Sequence, residues 1–205
     1  MSFITNQLAN HYRKTFYEHG PTPKGVDWKD YETSLIRYNQ MFKLFLNTHT
    51  KIEVLDLGCG YGAFLEFLKI KKIKFNYFGI DVVAQMIDYA KKKYSEKEFK
   101  CIDIFDMPLN KKFDYIVCNG ILTQKLDVRL NDMNFFLKKI IRRMFNLSTI
   151  GICFNVMSTH VNFFSPNLYY KSPSEMLFYC LSEITSKVRI DHSYGLYEYS
   201  VYLYK

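Results

Sequence analysis

Asp56-Leu57-Gly58-Cys59-Gly60-Tyr61-Gly62 sets glycine at every second position directly behind a short apolar run, Ile52 to Leu57. Glycines so spaced let a ligand lie against the main chain, and the N–H groups opening a following helix would face it. Gly58, Gly60 and Ala63 also satisfy the looser dinucleotide pattern GxGxxA. Asp56 separates the two kinds of ligand that such a loop admits. An acid just ahead of the first glycine repels a pyrophosphate and attracts a cationic ammonium group. Two more acids follow, Asp81 at the end of Phe78-Gly79-Ile80-Asp81 and Asp103 in Cys101-Ile102-Asp103-Ile104. The first is placed to accept hydrogen bonds from ribose hydroxyls. The second, flanked by isoleucines, suits the amino edge and face of an adenine. Two histidines, His19 and His160, offer proton acceptors with a pKa suited to neutral pH.

The elements that must position these groups are legible in the hydrophobic period. Residues 52–57 read as a first strand, 75–80 as a second, 99–102 as a third, 113–118 as a fourth and 150–156 as a fifth. Between them lie helical stripes: residues 61–70, then Val83, Met86, Ile87, Ala90 and Tyr94, then Leu130, Met133, Leu137, Ile140, Ile141 and Met144. Residues 174–182 form a last helix. Residues 186–191 and 197–204 read as a closing antiparallel hairpin turning at Ser193-Tyr194-Gly195. Upstream, residues 33–46 carry a helical stripe, and Gly20-Pro21-Thr22-Pro23-Lys24-Gly25 is loop chemistry that no helix continues through. Alternating strands and helices mean an α/β fold, a mostly parallel sheet wound doubly with helices on both faces. The three aspartates then line the crevice at the strands' C-terminal ends.

The chain of 205 residues is one domain's worth. With 48% apolar residues it can offset its ordering entropy, which excludes a disordered protein. Five cysteines at wide spacing, without a CxxC pair, argue against disulfides and against a metal site, so none is expected and a reducing, cytoplasmic setting is. No apolar run reaches the ~18 residues of a membrane span, and the N-terminal stretch is too polar for a secretory signal. The net charge of +8 admits an anionic partner or substrate. The basic residues Lys91 to Lys93 and Lys138 to Arg143 read as solvated helix faces. Nothing in the sequence speaks to oligomeric state.

The run Val54 to Gly62 resembles motif I of class I S-adenosylmethionine-dependent methyltransferases. Asp81 and Asp103 match that family's acids after strands two and three, and Phe113-Asp114-Tyr115-Ile116-Val117-Cys118-Asn119-Gly120 resembles its strand-four segment. The resemblance covers about residues 50–205. It implies a Rossmann-like methyltransferase fold with seven strands in the order 3214576, strand seven antiparallel. S-adenosylmethionine would be the cofactor and S-adenosylhomocysteine the product. Residue by residue, the resemblance implies Gly58, Cys59, Gly60 and Tyr61 under the methionine part and Asp56 near its cationic end. Asp81 would hold the ribose hydroxyls. Val82, Met86 and Ile104 would border the adenine, and Asp103 would bind its amine. Asn119 and Gly120 would flank the transferred methyl. His19 to Trp28 with Arg37-Tyr38 is similar to a small group of bacterial methyltransferases that often lie among genes for surface polysaccharides or other small-molecule tailoring. That likeness implies that Trp28 and Arg37 reach the cofactor, Arg37 at its carboxylate. Residues 1–48 would then be a lid over the cleft, and 49–205 the S-adenosylmethionine-binding domain.

Methyl transfer is an in-line displacement in which the protein supplies proximity and alignment. A hydroxyl acceptor benefits from a base; a phosphate or phosphoramidate oxygen needs none. His160, just past strand five, and His19, in the covering segment, are the candidate bases, and Tyr17 a candidate for the acceptor pocket. The aromatic segment Ser158 to Lys171 is expected to wall or cover that pocket. The expected activity is O-methylation of a small molecule: a saccharide, a nucleotide-linked intermediate or a phosphate-type group of surface-polysaccharide synthesis. An RNA methyltransferase is the alternative within the enzyme class, though no RNA-binding module is appended and nucleic acid is not the expected partner. A non-catalytic cofactor-binding protein is the alternative outside it. An NAD-dependent reductase is disfavoured by Asp56 and by the lack of a placed Tyr-x-x-x-Lys pair.

Overall fold

Strand residues alternate between two faces, so an apolar run with no polar interruption must be covered on both sides. That is the arrangement in the computed structural model, which describes residues 2–46, 48–95 and 97–205; Met1, Asn47 and Glu96 lie outside the described residues. The strands are β1 Ile52–Leu57, β2 Phe75–Asp81, β3 Glu98–Cys101, β4 Phe113–Cys118, β5 Ser148–Ser158, β6 Tyr170–Lys171, β7 Val188–Asp191 and β8 Glu198–Tyr204. The sheet runs β3-β2-β1-β4-β5-β8-β7, with β8 antiparallel to both its neighbours and the remaining pairs parallel. Counted without β6, this is the expected 3214576 order. The two-residue β6 is the addition. β4 stops at Cys118 opposite Phe154, which leaves the same edge of β5 open further on, and there Met157 and Ser158 pair with Tyr170 and Lys171.

Among the described residues six α-helices flank the sheet: α1 Phe3–His19, α2 Tyr31–Phe42, α3 Ala63–Lys69, α4 Ala84–Lys93, α5 Leu130–Leu147 and α6 Pro173–Glu183. The expected helix over 33–46 is α2 continued by a tighter turn at Lys43–Phe45. Val54, Tyr115 and Val117 face one apolar layer with Tyr38, Met41, Phe45, Leu65 and Leu68. Leu55, Leu57 and Ile116 face the other, with the stripe Met133, Leu137, Ile140, Ile141 and Met144 of α5. Fully burying such a side chain contributes about 1.5–3 kcal/mol. Among the described residues no helix is long and apolar enough to cross a membrane.

α1 was not resolved as a separate element by the hydrophobic period. It is a full helix, capped at one end by Ser2, whose hydroxyl accepts from the Thr5 N–H, and closed at the other by Gly20 with φ +63°. Its inward residues Ile4 and Leu8 join the α5-side core. The chain then doubles back so tightly that a Cβ on Gly25 would lie 1.9 Å from the Gly20 carbonyl oxygen. The Thr15 hydroxyl donates to the Gly25 carbonyl at 3.0 Å, which ties this turn to α1. α2 restarts at Asp30, whose carboxylate accepts from the Thr33 N–H at 2.8 Å.

Candidate active site

The turn from β1 into α3 needs three left-handed residues, and glycine is the type that takes this conformation without strain. Gly58, Gly60 and Gly62 have φ of +76°, +53° and +86°. The N–H groups of this loop are already committed. Those of Gly58 and Cys59 donate to the Ile80 carbonyl at 2.8 and 3.0 Å. That of Gly60 donates to Asp81 Oδ2 at 2.9 Å, and that of Gly62 to the Cys59 carbonyl at 3.0 Å. These four N–H groups precede α3, whose own first N–H groups were the ones expected to face a ligand. A phosphate would find no donor among the four, so the loop shapes a cleft rather than cradling an anion.

That cleft lies across the C-terminal ends of β1 to β4 and opens to solvent. Its wall brings together Asp56, Gly58, Cys59, Tyr61, Asp81, Val82, Met86, Asp103, Ile104, Asn119, Gly120 and Trp28, all singled out in the sequence. Gly60 is not on the wall. It sits behind it, where a Cβ would lie 3.4 Å from Val26 and 3.7 Å from the Met86 sulfur.

The three aspartates sit in different environments. Asp81 accepts from the Gly60 N–H with one oxygen and, with the other, from the Val83 N–H at 2.9 Å, so it joins the glycine loop to the start of α4. Burial raises its pKa, and these backbone donors oppose the rise. Asp56 is 3% exposed and accepts from the Tyr77 hydroxyl. Burial pushes it up to about 7, with Asp81 adding to the rise and Tyr77 opposing it. Asp103 accepts from the Phe105 N–H with Oδ1, while its buried Oδ2 has no partner. The turn behind it is held by Arg143 of α5, whose guanidinium donates to the carbonyls of Ile104, Phe105 and Met107. Arg143 is thus not part of a solvated basic face. Asn119, further along the wall, is half-buried, and both its amide atoms are buried and unbonded. A buried polar atom without a partner costs about 1–3 kcal/mol, so two such residues on one wall mark positions where a ligand completes the bonding.

The N-terminal segment closes the other side. Val26 packs at Gly60, and Trp28 lies so close to Gly120 that a Cβ there would be 3.4 Å from the indole Nε1. Thr5, Leu8 and Tyr12 of α1 line the same space. Sequence reasoning missed these three; their i, i+3, i+7 spacing was the available signal. The Tyr12 hydroxyl is held protonated by burial and by Asp27 and Asp81 nearby. Asp27, left-handed at φ +61°, accepts from Gln124 Nε2 at 2.6 Å and lies 3.0 Å from His11 Nε2.

The residues singled out for catalysis do not reach the wall. Tyr17 is 90% exposed, because the inward face of α1 is taken by Tyr12 and Phe16. His19, the last residue of α1, is exposed beside Glu18. His160 does follow β5, but its ring is exposed and faces His192 at 6.5 Å. Segment 158–171 does not line the cleft either. It folds onto the loop after β4, where the Asn167 carbonyl accepts from the Lys125 and Leu126 N–H groups. Arg37 stands behind Trp28, 5.1 Å from its ring, with its Nε on Glu198 rather than in the cleft wall.

A family model described as a methyltransferase domain matches residues 48–189. The chain belongs to this methyltransferase family. It is a class I enzyme whose cofactor is S-adenosylmethionine. The methyltransferase is similar to Rv1506c of Mycobacterium tuberculosis, whose own name gives that activity as inferred: 27% identity, over 78% of this chain and 97% of that protein. It is also similar to a malonyl-acyl-carrier-protein O-methyltransferase of Acetivibrio thermocellus, 26% identical over 65% of this chain but only 45% of that protein. Among solved structures, magnesium protoporphyrin IX methyltransferase of Synechocystis PCC 6803, crystallised with bound SAM, shares the fold. The TM-score is 0.69 at 11% identity, over 100% of this chain and 98% of that one. The residues present fit such a cofactor: an unpartnered acceptor on Asp103 for an N–H donor, and a buried acid, Asp56, for a cation.

Proposed function

We propose that this methyltransferase transfers a methyl group to an oxygen of a small polar acceptor, with the cofactor lying along the wall from Asp103 to Asn119. The observation that carries the reading is the unpartnered, buried Asp103 Oδ2 on the same wall as Asp81, Asp56 and Asn119. Asp103 would accept from the adenine amine between Val82 and Ile104, and Asp81 from the ribose hydroxyls. Asp56 would face the ammonium end. When bound, the cofactor supplies an electrophilic methyl on a sulfonium. The protein's part is to align it and to keep water out, and Tyr12, Trp28 and Val26 cover the cleft for that purpose. Residues 1–48 act as a lid in this reading.

Oxygen as the acceptor atom is supported by the O-methyltransferase relative. A saccharide carrying a nucleotide or phosphate, or another phosphate-bearing acceptor, fits the net charge of +8. The likeness of the N-terminal segment supports an intermediate of surface-polysaccharide synthesis.

The test is calorimetric titration with S-adenosylmethionine and with NADH, followed by labelled methyl transfer to a panel of sugar nucleotides, sugar phosphates, acyl carriers and RNA. Micromolar binding of the sulfonium, none of NADH, and label on a sugar oxygen is the expected result. Label on RNA instead would overturn the acceptor class, and NADH binding alone would overturn the cofactor.

A further inference from the structure

A chain of polar contacts runs behind the cleft wall and ends in the lid. The Gly120 N–H donates to Asn155 Oδ1 at 2.8 Å. Asn155 Nδ2 donates to Glu198 Oε1 at 3.1 Å. Arg37 Nε donates to both oxygens of Glu198, at 3.1 and 3.0 Å. The guanidinium carbon lies 5.1 Å from the Trp28 ring, and Trp28 in turn packs at Gly120, so the chain closes on itself at the Gly120 turn. Asn155 and Glu198 are 1% and 2% exposed, the Arg37 side chain 17%.

A carboxylate buried this deeply must be paired, and stability alone does not explain the pair, since apolar residues of the same volume serve as well or better. The way Arg37 is used is more informative. A guanidinium normally meets a carboxylate with two nitrogens in a fork. Here Glu198 takes only Nε, and the two Nη groups make no hydrogen bond among the described residues. They are not sealed in the protein either, since neither is among the buried atoms without a partner. The arginine is therefore clamped at one nitrogen and left open at the edge suited to a second carboxylate. S-adenosylmethionine carries a single carboxylate, at its methionine end.

We propose that Glu198, with Asn155, is a positioning residue for the cofactor. It ties Arg37 to the Gly120 turn and leaves the open Nη edge, beside Trp28 of the cleft wall, free to take the cofactor carboxylate. The inference rests on the methyltransferase reading and adds to it the two strand residues, on β5 and β8, that aim the arginine.

The test compares two ligands by calorimetry. S-adenosylhomocysteine has the carboxylate; 5′-methylthioadenosine has the same adenosine and sulfur without the amino-acid arm. In Glu198→Gln the first should bind about tenfold more weakly or worse, and the second within twofold of wild type. Arg37→Met with Glu198→Met replaces the pair by apolar side chains, so that a folded protein is available even where the single change destabilises, and the same selective loss is expected. Equal weakening of both ligands would reduce Glu198 to a structural role and overturn the proposal, as would unchanged binding of both. Failure of the wild type to bind either ligand would instead overturn the cofactor reading, and the proposal with it.

Discussion

Asp56 and Asp103 are both buried aspartates on one wall, and their surroundings make them different reagents. Burial raises Asp56 from 3.8 to about 7. The folded chain thus keeps a proton that the unfolded chain releases. The stability linked to this group is full below pH 3.8 and is lost as pH rises through 7. A cation in the cleft favours the ionised form, so cofactor affinity should move the other way and improve between pH 6 and 8. Asp56→Asn should flatten both trends, read by thermal melts of the free protein and by calorimetry at pH 6, 7 and 8. Identical pH profiles for the two proteins would remove Asp56 from the site. Asp103 is predicted through its open oxygen. An amide there offers a donor instead of an acceptor, so Asp103→Asn should weaken S-adenosylhomocysteine by about 1.5–3 kcal/mol, the worth of a charged hydrogen bond. It should improve the relative binding of the inosine analogue, which carries an oxygen where adenine has its amine. Equal losses for both ligands would argue that Asp103 only holds its turn.

At the scale of elements, the glycine loop is a shape and not a donor set, and its glycines are not equivalent. A Cβ on Gly58 would meet Ile121 Cδ1 at 2.5 Å, whereas on Gly60 the nearest atom is Val26 Cγ1 at 3.4 Å. Both positions carry the left-handed penalty of about 1–2 kcal/mol for an L side chain. Gly58→Ala alone adds a clash with a residue of the cleft wall. It should lose clearly more stability in urea than Gly60→Ala, and more cofactor affinity as well. Equal effects would mean that Ile121 swings aside freely. The same scale shows what the hydrophobic period resolves. β4 was legible over Phe113–Cys118 because it is a short apolar run, broken only by Asp114, between Lys111-Lys112 and Asn119-Gly120. α1 was not, because its buried side is narrow, Ile4, Thr5, Leu8 and Ala9, in an otherwise polar segment.

For the whole molecule, the cleft is closed by parts distant in sequence: α1 and the turn through Trp28 on one side, the ends of β1 to β4 on the other. A ligand that binds between them stabilises the folded state by mass action, by about 2.7 kcal/mol at a hundred times its Kd. For a chain of this size that corresponds to roughly 5–11 °C in Tm. S-adenosylhomocysteine should therefore raise the melting temperature by several degrees and NADH should not. A shift with NADH and none with S-adenosylhomocysteine would reverse the assignment.

The order of elements, the parallel sheet with its antiparallel hairpin, and the line of acids at successive strand ends were determined by local information: hydrophobic period, glycine placement and an acid after each apolar run. These follow from the chain's own stereochemistry, and a strand's C-terminal end must face the crevice whatever surrounds it. Which side chains reach that crevice was decided only by tertiary packing. Tyr17 and Tyr12 belong to one helix, yet only the helix's orientation against α5 and the sheet sends Tyr12 inward and Tyr17 into solvent. Arg37 and Glu198 are 161 residues apart, and no local pattern pairs them. His160 lies in a loop, where spacing carries no direction, and Asp27 meets His11 and Gln124 through a left-handed turn that composition does not encode. Backbone geometry is local and periodic, so sequence reports it. The direction of a loop side chain and the pairing of distant charges depend on how whole elements dock.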